Sequence, residues 1–255
     1  MDNDDRQVGQ ILSRRDALRI LGLGSAALLA ACAPSLSQSE PPAGISNTTT
    51  SISSTSSATS KLPICVVRPA MTEGPYFVDE MLNRSDLRSD PTDGTVKDGL
   101  PLNLKINVSR VGSNVCTPLS NAQVDIWQCD ASGIYSDAQD PSFNTKGRKF
   151  LRGYQLTDTN GLASFTTIYP GWYPGRTVHI HFKIRSKGYE FTSQLFFEDS
   201  LSDQVFAQLP YFRKGQRTVR NADDGIYQNG GSQLLLNVIP GKDSYSAAFD
   251  IGLQI

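Results

Sequence analysis

This sequence contains very little histidine and no excess of positive charge. Only two of its 255 residues are histidines, and 24 Lys and Arg residues face 25 Asp and Glu residues, which gives a net charge of −1. That balance excludes the basic surface on which nucleic-acid binding depends, and we expect no nucleic-acid partner. The four cysteines form no CxxC pair, so the usual spacing of a zinc site is missing too.

A long apolar run is also lacking. The main apolar stretch, from Ile20 to Ala31, is too short to span a bilayer comfortably. Arg14 and Arg15 precede it and Cys32 follows it. This order resembles a twin-arginine signal peptide with a lipobox over residues 1–34, in which Cys32 would be lipidated; an ordinary signal peptide with a chance cysteine is the alternative. We therefore expect export to the periplasm or cell surface, with membrane contact only through a lipid anchor.

The composition changes sharply after the signal. Residues 35–61 are rich in Ser and Thr and poor in residues that could form a core, so we predict a flexible, disordered linker. Residues 62–255 then carry the apolar patterns of a folded domain. A folded domain at 62–255 would thus be held away from a membrane surface.

Three cysteines remain in the exported part of the chain. An oxidising compartment permits one disulfide among Cys65, Cys116 and Cys129, and leaves one thiol over. Three pairings are possible. We favour Cys65 with Cys116, because both lie near the ends of predicted strands.

The folded part reads mostly as short strands. Residues 102–111 alternate apolar and polar side chains with the period of a half-buried strand. A hairpin is predicted around 186–188, and a strand, turn and strand around Asp158 to Gly161. Further strands are predicted within 121–129, 232–240 and 246–255, and one short helix at 202–208. This pattern predicts an all-β protein, an antiparallel sandwich or barrel with minor helical segments.

Both histidines lie in one of these strands. His179 and His181 are two residues apart, so their side chains share one face and could hold one metal ion. The alternative is that the two histidines are ordinary core or surface residues that bind no metal. Two imidazoles do not complete a four-ligand site, and the nearest further candidates are Tyr135, Tyr169 and Tyr173.

Tyrosine ligands favour a particular metal. Phenolate is a hard, anionic ligand that suits a ferric ion. Its ordinary pKa is about 10, so a bound cation must drive its deprotonation. Two phenolates and a hydroxide would balance the three charges of Fe³⁺. The pattern therefore predicts Fe(3+) held by two tyrosines and two histidines.

Four separated motifs follow one another along the chain: TEGPYF from Thr72, VDIWQCDASGIYSD from Val124, LRGYQLTDTNGLASFTTIYPGWYPGRTVHIHFKI from Leu151 and SQLFFED from Ser193. Together they resemble one known family, the intradiol ring-cleavage dioxygenases. The resemblance extends from about Pro63 to Ile255. It implies a transthyretin-like β-sandwich with a ferric ion between strands and loops. It also implies that a catechol-type substrate is cleaved with O2 between its two hydroxylated carbons, giving a muconate-type diacid.

The resemblance also implies a metal-ligand set. Tyr135 corresponds to a tyrosinate that stays on the metal, and Tyr173 to one that leaves when substrate arrives. His179 and His181 correspond to the two imidazole ligands.

Further residues are implied around the metal. Arg176 resembles an arginine that stabilises negative charge on the bound ring, and Gln194 a glutamine beside it. Tyr76 lies in a segment that lines the substrate mouth. Trp172 is a packing residue or, because it is next to Tyr173, part of the pocket wall.

Two departures from the family pattern bear on specificity. Only five residues, 174–178, separate Tyr173 from His179, fewer than in many family members, and the linker stands where others carry a helical region or a partner subunit. We expect an open pocket that rejects bulky catechols weakly, with lignin-derived or other extracellular aromatic diols as a hypothesis. A homo-oligomer is compatible with the sequence. The alternative function is an exported β-sandwich module that binds copper, zinc or a ligand without turnover.

Overall fold

The computed structural model describes residues 66–112 and 115–255. The predicted signal peptide, the lipidation site at Cys32, the linker and Cys65 lie outside these residues. The predictions made for them stay predictions.

Eleven strands and a few short helical segments make up the part of the chain that is described. In chain order the strands are β1 Pro101–Val111, β2 Cys116–Pro118, β3 Gln123–Trp127, β4 Gln139–Asp140, β5 Phe143–Asn144, β6 Arg152–Leu156, β7 Leu162–Ile168, β8 His179–Ser186, β9 Tyr189–Phe196, β10 Asn237–Pro240 and β11 Tyr245–Leu253. The α-helices are α1 Asp199–Phe206 and α2 Gly225–Gln228, and short 3₁₀ segments lie at Tyr211–Lys214, Asn221–Asp223 and Gly231–Leu234. Within the described residues, no helix is long and apolar enough to cross a membrane.

Two sheets pack face to face. The first has the order β10-β11-β1-β2, with β7 also paired to β1, and the second has the order β6-β3-β8-β9. Alternating apolar side chains from both sheets fill one core, and the rings of Phe182 on β8 and Phe249 on β11 meet across it at 5.8 Å. The predicted all-β sandwich is confirmed.

The outer face of the second sheet is covered by residues 72–80, which we call the strap. The strap packs Phe77 against Trp127 at 4.8 Å between ring centroids, and its Glu73 and Asp79 form ion pairs with Lys183 and Arg185. This cover explains why β3 is buried on both faces, although its alternating sequence predicted one polar face.

Several sequence predictions for individual strands are confirmed. The hairpin around residues 186–188 forms between β8 and β9 in antiparallel register, and β1 matches its predicted span closely. The predicted helix is found slightly earlier, as α1.

Other predictions need correction. β6 and β7 are joined by the predicted turn but belong to different sheets, so the turn links the two layers. β11 pairs with β1 in parallel, whereas an antiparallel sandwich was predicted. The strand predicted within 232–240 is shorter than expected: residues Gly231–Leu234 form a 3₁₀ segment, and the strand begins only at Asn237. The apolar side chain of Leu234 is buried, but it belongs to a helical turn and not to a strand.

The cysteines are partly settled. Cys116 is disulfide-bonded, and Cys129 is a buried free thiol. This excludes the pairings that use Cys129. The favoured pairing of Cys116 with Cys65 involves a residue outside the described part and stays a prediction.

Candidate metal centre

Four side chains, two from strand β8 and one from each of two loops, bring their polar atoms to one point. The Nε2 atoms of His179 and His181 are 3.0 Å apart. The hydroxyl oxygen of Tyr173 is 3.1 Å from His179 Nε2, and that of Tyr135 is 3.4 Å from the same atom. The structure thus brings together the two histidines and two of the three tyrosines that the sequence singled out. The third, Tyr169, lies elsewhere, with its hydroxyl 2.8 Å from Ser202 Oγ.

Strand β8 sets the direction of both histidine side chains, and a hydrogen bond to the backbone orients the ring of His179. They alternate with Ile180 and Phe182, which point into the core, so both imidazoles point the same way. His179 Nδ1 lies 2.6 Å from the carbonyl oxygen of Thr177. Since a carbonyl only accepts, Nδ1 carries the proton, and Nε2 presents its lone pair to the cluster.

The ring of His181 is held by stacking and close packing. Trp127 stacks on its ring at 4.9 Å with an angle of 8° between the planes. Gly74 of the strap lies close to the same ring: a Cβ at position 74 would be 3.2 Å from His181 Cε1. Gly74 also has φ +73°, a conformation that favours glycine.

Both imidazoles are neutral at ordinary pH. Burial lowers the pKa of His179 and of His181 well below the usual value, and the positive charge of Arg176 lowers each pKa further. Neutral imidazole is the form that binds a metal ion.

The two tyrosines differ in how firmly they are held. Tyr135 follows β3 in a tight loop and is 1% exposed, packed with Trp127 and Cys129. Tyr173 lies on the loop between β7 and β8, is half-buried and is followed by exposed residues. Tyr135 is therefore enclosed by its packing, whereas Tyr173 is more exposed to solvent.

Burial raises the pKa of Tyr135 and of Tyr173 well above the usual value, and for both the charge of Arg176 opposes the rise. Both phenols therefore stay protonated unless a cation displaces the proton. In the described residues, no three His, Cys, Asp or Glu side chains form a metal site. A metal held by the two imidazoles would therefore take its remaining protein ligands from the tyrosines.

A charged network borders the cluster. Arg176 Nε donates to Asp224 Oδ2 at 2.9 Å, and Arg176 Nη2 donates to Gln194 Oε1 at 2.5 Å. Gln194 lies opposite His181 in the β8–β9 register, and its Nε2 donates to the Thr72 carbonyl. The arginine is thus held at two edges beside the metal-binding cluster.

A cavity of about 440 Å³ opens onto the cluster. Its lining residues include Tyr135, Tyr173, Phe143 and Lys214. Tyr76 also lines it and stacks on Tyr135 at 4.5 Å with an angle of 22° between the rings. The cavity therefore offers aromatic walls to a flat ligand, and the two tyrosines of the cluster border it.

Trp172, predicted as a packing residue or pocket wall, lies beside this cavity and does not line it. Its ring Nε1 donates to the Gly215 carbonyl at 3.2 Å, and Lys214 Nζ lies 4.8 Å from its ring centroid. Lys214 Nζ also donates to the Ser132 carbonyl, and these two residues line a second cavity of about 470 Å³ as well. Lys214 therefore stands between the two cavities.

Three polar residues of the site were missed from the sequence. Asp224 is buried and forms an ion pair with Arg176. Asp140 accepts a hydrogen bond from the Tyr76 hydroxyl at 2.9 Å, and Lys214 lines the cavity. No local pattern marked the first two, because both contacts join distant parts of the chain.

Comparisons with known proteins show the family of this chain. The model of a family described as dioxygenase (Dioxygenase_C) matches residues 72–253. The solved structure of an intradiol ring-cleavage dioxygenase from Tetranychus urticae is 35% identical, covers 74% of this chain and 95% of that chain, and superposes with a TM-score of 0.67.

Two curated relatives are similar over a shorter region. A catechol 1,2-dioxygenase of Candida albicans is 31% identical over 181 residues, which is 62% of this chain and 54% of the relative. A protocatechuate 3,4-dioxygenase beta chain of Burkholderia cepacia is 32% identical over 146 residues, or 53% and 61% of the two chains. The chain spans about half the length of the curated relatives it matches. With the family match over residues 72–253 and the similarity to the Tetranychus urticae structure, the chain belongs to the intradiol ring-cleavage dioxygenases.

Proposed function

We propose that this protein is a non-haem Fe(III)-dependent dioxygenase that cleaves catechol-type aromatics between their two hydroxylated carbons with O2, giving muconate-type diacids. The observation that carries the proposal is the convergence of two phenol oxygens and the Nε2 atom of His181 within 3.0–3.4 Å of His179 Nε2. Membership in the family supports the reaction class.

The donor set fits a ferric ion. Tyr135, Tyr173, His179 and His181 would hold it, with two hard anionic oxygens and two nitrogens. Both histidines are buried and neutral, and both phenols need a cation to lose their protons. A softer ion such as Cu(I) would find no thiolate here, since Cys129, the free thiol of the described residues, donates to the Gly171 carbonyl at 3.4 Å. When bound, the ferric ion supplies Lewis acidity that favours the catecholate dianion over the catechol.

The two tyrosines take different roles because they are packed differently. Tyr135 is enclosed and stays in place. Tyr173 lies on the more exposed side of the cluster and borders the cavity, so its phenolate would be placed to accept a proton from an arriving catechol.

Arg176 supplies fixed positive charge. Its Nε and Nη2 are engaged by Asp224 and Gln194, and Nη1 has no hydrogen-bond partner within the described residues. Its side chain is 15% exposed. The free edge of the guanidinium is therefore available to the negative charge that develops on the substrate.

Tyr76 and Phe143 shape the entrance. Tyr76 reaches over the cavity from the strap, stacks on Tyr135 and donates to Asp140. A flat substrate ring would slide in beside these aromatic faces. The second cavity beyond Lys214 supports the hypothesis that catechols with bulky substituents are accepted.

Oxygen uptake tests the proposal. Iron-loaded protein should consume O2 with catechol and with catechols carrying bulky substituents at the 4-position, and mass spectrometry should find ring-opened diacids that contain both oxygen atoms. Turnover restricted to plain catechol would contradict the hypothesis of bulky substrates. Iron-loaded protein that consumes no O2 with any catechol would overturn the proposed activity. The alternative function, a binding module without turnover, would then remain.

Export and lipid anchoring are proposed from the sequence pattern alone. Full-length protein should incorporate labelled palmitate in a bacterial host, and the Cys32→Ala variant should not. Equal labelling of both proteins would overturn lipidation at Cys32.

A further inference from the structure

We infer that Asp224 is a positioning residue of the active site, acting through Arg176 and Thr177. This inference rests on the proposed function, and it gives a role to a residue that the proposed reaction does not itself require.

Asp224 is buried and fully engaged. It is 2% exposed, and each carboxylate oxygen accepts two hydrogen bonds. Oδ2 accepts from Arg176 Nε at 2.9 Å and from the backbone N–H of Thr177 at 2.8 Å. Oδ1 accepts from the backbone N–H groups of Ile226 and Tyr227, at the start of α2. One oxygen thus belongs to the site and the other anchors the carboxylate to its own loop.

Two consecutive residues, Arg176 and Thr177, are held by this one oxygen, and each leads to the site by a different route. Arg176 carries the charge beside the cluster. Thr177 presents its carbonyl to His179 Nδ1 at 2.6 Å, which orients that imidazole. Asp224 therefore fixes both the arginine and the peptide that aims a metal ligand.

The arginine is clamped at two edges. The Nε of Arg176 donates to Asp224, and its Nη2 donates to Gln194 at 2.5 Å. Two contacts on different edges of a planar guanidinium determine its plane as well as its position. With Asp224 removed, the guanidinium could rotate about its contact to Gln194, and its free Nη1 would no longer keep one direction.

A neighbouring clamp makes the segment around Asp224 rigid. Thr177 Oγ1 donates to Asn221 Oδ1 at 2.7 Å, and Asn221 Nδ2 donates to the Phe197 carbonyl at 2.9 Å. The segment from Asn221 to Asp224 therefore docks on Thr177 through two separate side chains. This rigid base is what a positioning residue requires.

The test is a double-mutant cycle on the full-length, iron-loaded protein. The Asp224→Asn substitution keeps the size of the side chain. It replaces one carboxylate oxygen, which accepts two hydrogen bonds, with an amide NH₂ group that cannot accept any. We expect kcat for catechol to fall by about 30-fold with KM changed less than about threefold, since misplacement of a charged group costs up to roughly 10²-fold. In the Arg176→Ala background, the same substitution should lower kcat by a clearly smaller factor, less than about tenfold, because the arginine that it positions is gone and only the contact with Thr177 remains.

The matched control is Asp223→Asn, which changes the adjacent, exposed carboxylate. It should behave as wild type in kcat, KM and thermal unfolding. An equal loss from Asp224→Asn in both backgrounds would show a general structural role and overturn the inference, as would Asp224→Asn with wild-type kcat.

Arg176→Lys covers the case in which Asp224→Asn does not fold. It keeps the charge and leaves Asp224 in place, but a single ammonium does not reproduce the planar two-edge contact. We expect at least a tenfold loss of kcat; activity within twofold of wild type would contradict the inference. Wild-type protein that turns over no catechol would overturn the proposed function and this inference with it, whereas active wild type with an undiminished Asp224→Asn variant overturns this inference alone.

Discussion

The Nε2 atoms of His179 and His181 face each other at 3.0 Å in a buried site. His179 donates its Nδ1 proton to the Thr177 carbonyl, so its Nε2 carries a lone pair. Two phenol oxygens approach that same nitrogen within 3.4 Å. Several electron-pair donors directed at one point in the protein interior are the arrangement that a bound cation stabilises.

The Tyr173→Phe substitution tests the proton-accepting role of the more exposed tyrosine. We expect kcat to fall by roughly 10²-fold or more, since a positioned base contributes at least that much. Iron should remain bound, because Tyr135 and the histidines are unchanged. Steady-state kinetics with metal analysis measures both quantities.

The control for this substitution is Tyr169→Phe. Tyr169 is equally aromatic and more buried, but its hydroxyl bonds to Ser202. Loss of that bond should lower the free energy of unfolding by about 1 kcal/mol and leave kcat unchanged. A Tyr173→Phe enzyme as active as this control would contradict the assigned role.

The Gly74→Ala substitution should weaken metal binding. The new Cβ would be 3.2 Å from His181 Cε1, and position 74 has φ +73°. Gly94→Ala is a close control, because Gly94 has φ +76° and nothing lies within 4 Å of its added Cβ. Both variants should lose about 1 kcal/mol of unfolding free energy from the backbone alone.

Only Gly74→Ala should also release iron at lower chelator concentration. Chelator titration followed by metal analysis makes the comparison. Equal iron retention in the two alanine variants would show that the contact of the strap with His181 does not matter for the metal.

Alkaline pH should reveal the environment of Tyr76. Burial, and then the hydrogen bond to Asp140, raises the pKa of Tyr76 to about 12. A pKa raised on folding contributes stability that is fully present below the unfolded value of about 10 and is lost as pH rises through about 12. Tyr76→Phe should therefore lose less stability than wild type between these two pH values.

Ultraviolet absorption of phenolate follows the same group directly. The wild type should show one phenol titrating near pH 12 that is missing from Tyr76→Phe. Asp140→Asn should lower the pKa of Tyr76 only part of the way to 10, since burial remains. A Tyr76 that titrates with the ordinary pKa would contradict the stacked, half-buried placement.

The Lys183→Met substitution should loosen the strap. Lys183 is 6% exposed, forms ion pairs with Glu73 and Glu190, and lies 4.4 Å from the Phe77 ring centroid. Removing it leaves the Glu73 carboxylate without this partner. We expect a loss of about 1–3 kcal/mol in unfolding free energy, below the range for a fully buried pair because Glu73 is partly exposed.

Because the strap carries Tyr76, KM for catechol should also rise in Lys183→Met. Lys105→Met serves as control, since Lys105 is an exposed strand lysine of the other sheet. Denaturant unfolding and steady-state kinetics on the two variants separate the effects. An unchanged KM in Lys183→Met would show that the strap does not hold the substrate wall.

The local parts of this structure could be predicted from the sequence. The period-2 pattern around His179 and His181 placed both imidazoles on one face, and the turn at Lys187 and Gly188 marked the β8–β9 hairpin. Both signals come from neighbouring residues, which is why they could be detected without a structure.

Contacts between distant residues could not be predicted in this way. Asp224 binds Arg176 across 48 positions, and an Asp-Asp-Gly stretch carries no mark that separates a buried carboxylate from a turn. The parallel pairing of β11 with β1 was missed for a similar reason: alternation shows which face is buried but not the direction of the partner strand. The sequence alone left Tyr135, Tyr169 and Tyr173 as candidate ligands, and only the family resemblance selected Tyr135 and Tyr173.

Metal analysis with a visible spectrum, on wild type and Tyr135→Phe, tests the central claim most directly. We predict one iron per wild-type chain and a visible band from phenolate-to-iron charge transfer, which should weaken strongly in Tyr135→Phe and persist in Tyr169→Phe. Fully loaded wild-type protein that contains a different metal, or whose visible spectrum is the same in Tyr135→Phe, would contradict the account.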